Sequence, residues 1–343
     1  MRSRIRSVVS VLAVTASSLL GLVVLPLLVA APATAGPPPG QVITVQSGAS
    51  WATTARFDLW QLSATGGYTH VLGPVGAYVG ELGIGQTRDN VARTPAGIFG
   101  LTQAFGNQPT LGTKLPYFQA GPSDWWDGEA GTPAYNTHVH QVASPGPGSE
   151  NLYYAGPVYA HAVVIDYNRF PVVSGAGSAF FLHVTNGQPT AGCVAISSYV
   201  MSIVQRWLNP ALHPVISIGV GSAATRLVDN QNAAAARYNP RGHLDSVTVS
   251  GRTAQLTGWA VDPEGPSSKL PVDIYVDNVF RGRFSTGTPR PDVARVIRAG
   301  PNQGFVAAVT GLAPGTHKFC AYAINIGLGT TNPSLGCLAA TVR

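Results

Sequence analysis

Turn-forming residues punctuate this chain too densely for an architecture of long helices. Glycine (40) and proline (27) together fill about a fifth of its 343 residues. Glycine disfavours a helix through backbone entropy, proline through its missing N–H. Short strands joined by many turns are what such punctuation permits. Hydrophobic residues, at 45%, are plentiful enough for a packed core and exclude a disordered polyelectrolyte. Charged residues reach only 10%, against roughly 25% in ordinary soluble domains. A surface of Ser, Thr, Gly and Asn suits a secreted protein better than a cytosolic one. The expected fold class is mostly β.

The first residues agree with export. Arg2, Arg4 and Arg6 precede an apolar run from Val8 to Ala31, and Ala33-Thr34-Ala35 supplies the small residues of a cleavage site. Residues 1–35 read as a signal peptide cut before Gly36; uncleaved, the run is long enough to serve as a membrane anchor. Either way the rest of the chain is expected outside the cytoplasm, secreted or at the cell wall. Without residues 1–35 the formal charge falls from +6 to +3, because three Arg and no acid are lost. With no Lys/Arg cluster interleaved with aromatics, nucleic acid is not an expected partner.

Residues 36–50 read as a linker and first strand, and 41–220 as one β-rich catalytic domain with one main helix. Strand candidates are 68–72, 98–103, 162–167 and 179–185. The helix is capped by Ser197 or Ser198, and Val200, Ile203, Val204, Trp207 and Leu208 lie on one face before Asn209-Pro210 ends it. The Gly/Pro-rich stretch between Phe105 and Pro157 is expected as a long functional loop. Residues 221–241 read as a linker that has room for a short helix. From 242 to 343, short strands and turn signals indicate a separate β-sandwich of immunoglobulin-like type.

Three cysteines leave an odd thiol in an oxidising compartment. Cys320 and Cys337, close together in a segment of paired strands, are expected to form a disulfide. Cys193 is then unpaired. It stands in Phe180-Phe181-Leu182-His183-Val184-Thr185-Asn186-Gly187-Gln188-Pro189-Thr190-Ala191-Gly192-Cys193-Val194. An apolar strand delivers His183, a short polar loop follows, and Gly192-Cys193 forms a turn ahead of the helix. A thiolate is the reactive form of cysteine, and a nearby imidazole can take its proton. Gly192 permits a tight turn, and the backbone N–H groups of Gly192 and Cys193 are candidates for holding an oxyanion.

These residues resemble the YkuD-type L,D-transpeptidases, whose signature is a His, a variable loop, then Ser/Thr-x-Gly-Cys-Ile/Val. Here it stands as His183 and Thr190-Ala191-Gly192-Cys193-Val194. Thr94-Pro95-Ala96-Gly97-Ile98-Phe99 and the run from Tyr159 to Asn168 resemble two further elements of that family. The sequence departs from many members at Val184, Ala191 and Ala195. The resemblance spans about residues 41–220 and implies a YkuD-like catalytic domain that cross-links peptidoglycan stem peptides through a Cys193 thioester, with His183 as base. It implies carbapenem-type β-lactams as inhibitors, and no cofactor, no metal and no obligate protein partner. Tyr159, Asn168, Thr190 and Trp125 are candidate substrate contacts. His138, His140 and His161 are not expected to hold a metal. An L,D-carboxypeptidase or other hydrolase of the same fold, and a non-catalytic wall-binding protein, stay open as alternatives.

Overall fold

A computed structural model describes residues 37–343; the signal-peptide reading falls outside them. The protein is mostly β, and residues 38–343 form one compact unit. Its first half is built on a ten-stranded sheet. The strands run, edge to edge, Gly97–Gly100, Val215–Val220, Gln41–Ser47, Thr54–Leu62, Tyr68–Tyr78, Val194–Ile196, Phe181–Val184, Ala162–Val164, Ala104–Gly106 and Tyr117–Gln119. Strands distant in sequence therefore lie side by side, and Gln41–Ser47 pairs parallel with Val215–Val220.

The strand Gln41–Ser47 shows why both faces are covered. Its apolar residues are buried on alternate sides: Ile43 and Val45 enter the large core, while Val42 packs with Tyr68 and Val228. Helix α1, Ser198–Trp207, covers the first face with Val200, Met201, Val204 and the following Leu208, and Ile203 and Trp207 pack at its margin. Ser197 caps it, its side chain accepting from the Val200 N–H.

The segment expected as a linker is instead a second long helix. α2, Ser222–Ala236, buries Ala224, Val228 and Ala235. It is also tied by side chains to the Thr54–Leu62/Tyr68–Tyr78 turn, where Asn232 accepts from the Tyr68 N–H at 2.6 Å and Gln231 donates to the Gly66 carbonyl at 2.6 Å. The alanine-rich run Ala233–Ala236 has high helix propensity, and tertiary packing extends the helix to fifteen residues.

The last hundred residues form two sheets around a core of their own. Arg241–Ser250, Thr253–Val261 and Gly304–Val309 make three strands; Val279–Ser285, Pro271–Val276, Gly315–Ala323 and Ser334–Val342 make four. Leu244, Leu256, Phe305, Ile274, Phe319 and Leu335 fill the space they enclose. A short helix, α3 at Pro291–Ile297, precedes the Gly304–Val309 strand. Among the described residues no helix is long and apolar enough to cross a membrane.

Cys320 and Cys337 face each other on adjacent strands and are bonded, 17 residues apart in sequence. Closing a loop of that size is worth about 2–4 kcal/mol. The double variant Cys320→Ala/Cys337→Ala should lower the urea midpoint accordingly. An unchanged midpoint would mean that strand pairing alone fixes this edge.

Candidate active site

The strand Phe181–Val184 lies between Ala162–Val164, antiparallel, and Val194–Ile196, parallel. Alternation sends Leu182 into the core beneath α1 and turns Phe181 and His183 to the opposite face. Cys193 immediately precedes the neighbouring parallel strand and packs with Phe181 on that second face. In register, His183 lies opposite Ala162 and Ala195, so small residues flank the imidazole on both sides. The two expected catalytic side chains thus stand diagonally on adjacent strands, two residues or about 6–7 Å apart along the strand.

The turn that presents Cys193 is over-determined. The Cys193 carbonyl accepts from the Thr190 hydroxyl at 2.7 Å and the Thr94 hydroxyl at 3.2 Å. Thr94 also accepts from the Gly80 N–H at 2.8 Å, which ties in the chain leaving the Tyr68–Tyr78 strand. Gly192 has φ +146°, and a Cβ there would come 2.7 Å from Phe180 Cε1. Gly192→Ala should therefore lose about 1–3 kcal/mol of stability and displace the thiol. A thermal melt matching the native chain would contradict this.

One expectation for this turn is corrected. The Gly192 N–H donates to Thr190 Oγ1 at 3.1 Å and is not free for an oxyanion. Among the described residues the Cys193 N–H has no such partner, so that donor alone remains. Thr190, a candidate substrate contact, donates its hydroxyl to the Cys193 carbonyl and so clamps the turn.

His183 Nδ1 donates to the Val184 carbonyl at 2.9 Å. That bond fixes the tautomer and leaves Nε2 with the lone pair a base requires. Burial lowers the imidazole pKa, opposed by the Val184 carbonyl. The thiol accepts from the Phe181 N–H at 3.3 Å and donates to the Ala179 carbonyl at 3.4 Å. Burial first, then the Glu150 carboxylate, push its pKa up to about 12, against the Phe181 N–H and the Tyr159 hydroxyl. No hydrogen bond joins thiol and imidazole among the described residues. Burial thus favours the neutral form of both groups.

The other expected substrate contacts lie elsewhere. Tyr159 is only 4% exposed. It sits behind the pair, its ring 5.4 Å from that of His183 and its hydroxyl donating to Glu150 Oε1 at 2.8 Å. Its ring packs edge-on to both Phe181 and His183. Asn168 donates to the carbonyls of Val173 and Gly177 and accepts from the Val173 N–H, so its amide is consumed in holding a loop. Trp125 points away from the face that buries Trp126, and its Nε1 donates to the Gln141 carbonyl.

The stretch between Phe105 and Pro157 is not one irregular loop. It forms a small sheet of Thr137–His140, Asp124–Asp127 and Glu150–Asn151. One oxygen of Asp124 lies 2.8 Å from His138 Nε2 and 2.9 Å from His140 Nδ1, which locks two of its strands. No cluster among the described residues could hold a metal ion. Trp126 packs edge-on to Phe181 at 5.0 Å and closes the back of the site.

Two residues of the site escaped the sequence reading. Glu150 accepts from the Tyr159 hydroxyl at 2.8 Å, and its charge helps push the thiol pKa up. Buried Asn136 accepts from Trp126 Nε1 and the Ala179 N–H while donating to the carbonyls of Tyr167 and Asn168, so it holds the segment whose carbonyl receives the thiol proton. No local motif marks either residue. Comparison with known proteins yields no match, whether to a family model, a curated protein or a solved structure.

Proposed function

We propose that the chain is a cysteine acyltransferase of the YkuD type, an exported L,D-transpeptidase acting on peptidoglycan stem peptides. The observation that carries this reading is the juxtaposition on one sheet face of the unpaired Cys193 and a His183 whose Nε2 is left basic by the Val184 carbonyl. Cys193 would attack the carbonyl of the L-centre in a tetrapeptide stem. The thiol proton would pass to His183 and then to the departing D-Ala amine. The unpartnered Cys193 N–H would donate to the oxyanion. A side-chain amine of a second stem would resolve the thioester; water in its place would give the carboxypeptidase. The two sheets of residues 242–343 would then be an appended immunoglobulin-like domain.

One observation favours the non-catalytic wall-binding alternative. The thiol is buried, protonated and bonded to backbone groups instead of to His183. Catalysis requires that substrate draw it toward the imidazole; a merely structural cysteine would never move.

Intact-protein mass after exposure to a carbapenem, then to tetrapeptide stems with and without an acceptor amine, tests the proposal. Acylation of Cys193 followed by amine-dependent turnover is expected. A chain that stays unmodified under both treatments would overturn it.

A further inference from the structure

We infer that a cleft on the outer face of the four-stranded sheet near the C-terminus binds an uncharged oligosaccharide, the glycan strand of the peptidoglycan polymer. In Pro271–Val276, Val272, Ile274 and Val276 enter the core, which leaves Asp273 and Tyr275 on the outer face. Register places Tyr322 opposite Asp273 and Cys320 opposite Tyr275. On one flank Arg283 lies opposite Asp273 and Phe280 opposite Tyr275. On the other, Ser334 lies opposite Tyr322 and Cys337 opposite Cys320. Two rows therefore cross this face. One carries polar groups; the other carries two aromatic rings and the disulfide.

The cleft over these rows has a volume of about 360 Å³, the size of a small-ligand site. It runs along the strands from Asn278, at the Val276 end, to Asn332, at the Pro271 end. The six residues Pro271–Val276 between those ends span about 17 Å, which accommodates a short run of sugar rings.

A sugar ring presents an apolar C–H face and a rim of hydroxyls, and the cleft holds the counterpart of each. Tyr275 and Tyr322 meet edge to face with centroids 5.5 Å apart, and Phe280 joins Tyr275 at 5.6 Å. Rings packed in this way do not cover one another, so half-buried Tyr275 and Tyr322 keep π-surface for C–H contacts. Among the described residues neither phenol hydroxyl has a hydrogen-bond partner, nor has the Asn278 amide. Asn332 spends only its Oδ1, on the Asn325 N–H at 2.8 Å. These groups supply both donors and acceptors to a hydroxylated ligand.

Charge separates a sugar from other polymers. Asp273 is the one charged residue lining the cleft. Arg283 grips it with both ends of its guanidinium, Nε to Oδ1 at 2.7 Å and Nη2 to Oδ2 at 2.9 Å. The pair cancels its own charge, while the carboxylate keeps lone pairs for sugar hydroxyls. A nucleic acid would need unpaired Lys or Arg in the cleft. A lipid surface would need a floor without a carboxylate.

The identity of the polymer rests on the proposed function, since this glycan carries the stems; the site itself does not. The probe is the uncharged tetramer of N-acetylglucosamine, titrated calorimetrically into the full chain. It should bind, and added salt should leave the affinity unchanged because no charge is matched. Tyr275→Ala and Tyr322→Ala should each weaken binding about fivefold to tenfold, the worth of one aromatic contact. No binding, binding that salt suppresses, or native affinity in both variants would overturn the inference. If the variants do not fold, nitration of the native chain by tetranitromethane still decides, read by peptide mass. The tetramer should slow modification of Tyr275 and Tyr322 severalfold and leave Tyr199, 74% exposed, unaffected. Equal rates at all three would refute the site. Protection by a proline-rich peptide but not by the tetramer would assign the cleft to a polypeptide and refute it too. Tetramer binding in a chain that no carbapenem acylates would sink the transpeptidase reading and leave this one standing. Acylation in a chain that ignores the tetramer would do the reverse.

Discussion

Cys193→Ser should eliminate acyl-enzyme formation while the fold survives, a loss on the order of 10⁶ in rate, as expected when a nucleophile is removed. The sulfur accepts from the Phe181 N–H, and a serine oxygen can keep that partner. Alanine cannot: it would leave the N–H without a partner in a closed site, at a cost of about 1–3 kcal/mol. Cys193→Ala should therefore be equally inactive and measurably less stable than Cys193→Ser. The checks are intact mass after carbapenem exposure for activity and urea unfolding for stability. Acylation that persists in Cys193→Ser would remove the nucleophile assignment and favour the wall-binding alternative.

His183→Ala should slow acylation by a factor on the order of 10²–10⁴, the usual worth of a general base. The loss should fall on the rate of acylation and not on stem binding, because the imidazole is 8% exposed and acts on the thiol. A pH signature accompanies it. Burial lowers the folded imidazole pKa below its ordinary 6.5. If His183 is the base of the proposed reaction, activity should persist below pH 6.5 and fall only as pH drops through the lowered value. Stability moves with the same group. As pH falls through 6.5, the unfolded ring takes up a proton that the folded ring refuses, so the unfolded state gains. Native stability should thus drop below pH 6.5 and level off once the folded ring also protonates. Urea midpoints for the native chain and His183→Ala between pH 7.5 and 4.5 should converge toward acid. Parallel curves would show that the ring is not held neutral by the fold.

Much of this protein was legible in its residues. The density of Gly and Pro excluded a helical bundle, and the mostly β class follows. Ser197 and the Val200/Val204/Leu208 spacing fixed α1, because helix periodicity and capping are local. The disulfide was readable because Cys320 and Cys337 lie on strands adjacent in both sequence and space. Cys193 and His183 could be nominated as a pair because one short loop joins their strands.

Tertiary structure decided what crosses long sequence gaps. Glu150 has no motif, and only the docking of the small sheet against the Phe181–Val184 strand carries it to Tyr159 and the thiol. The Gly192 N–H looked free in sequence, yet the Thr190 side chain folds back on it. The internal partners that packing gives Tyr159, Asn168 and Thr190 are announced by no local motif. The segment expected as a linker became α2 because the sheet offers Val42 and Tyr68 a face that needs covering. Local sequence determines backbone preference and which side of an element is apolar. Which polar groups finally meet depends on the order of strands in the sheet, and that order is set by the burial of every element at once.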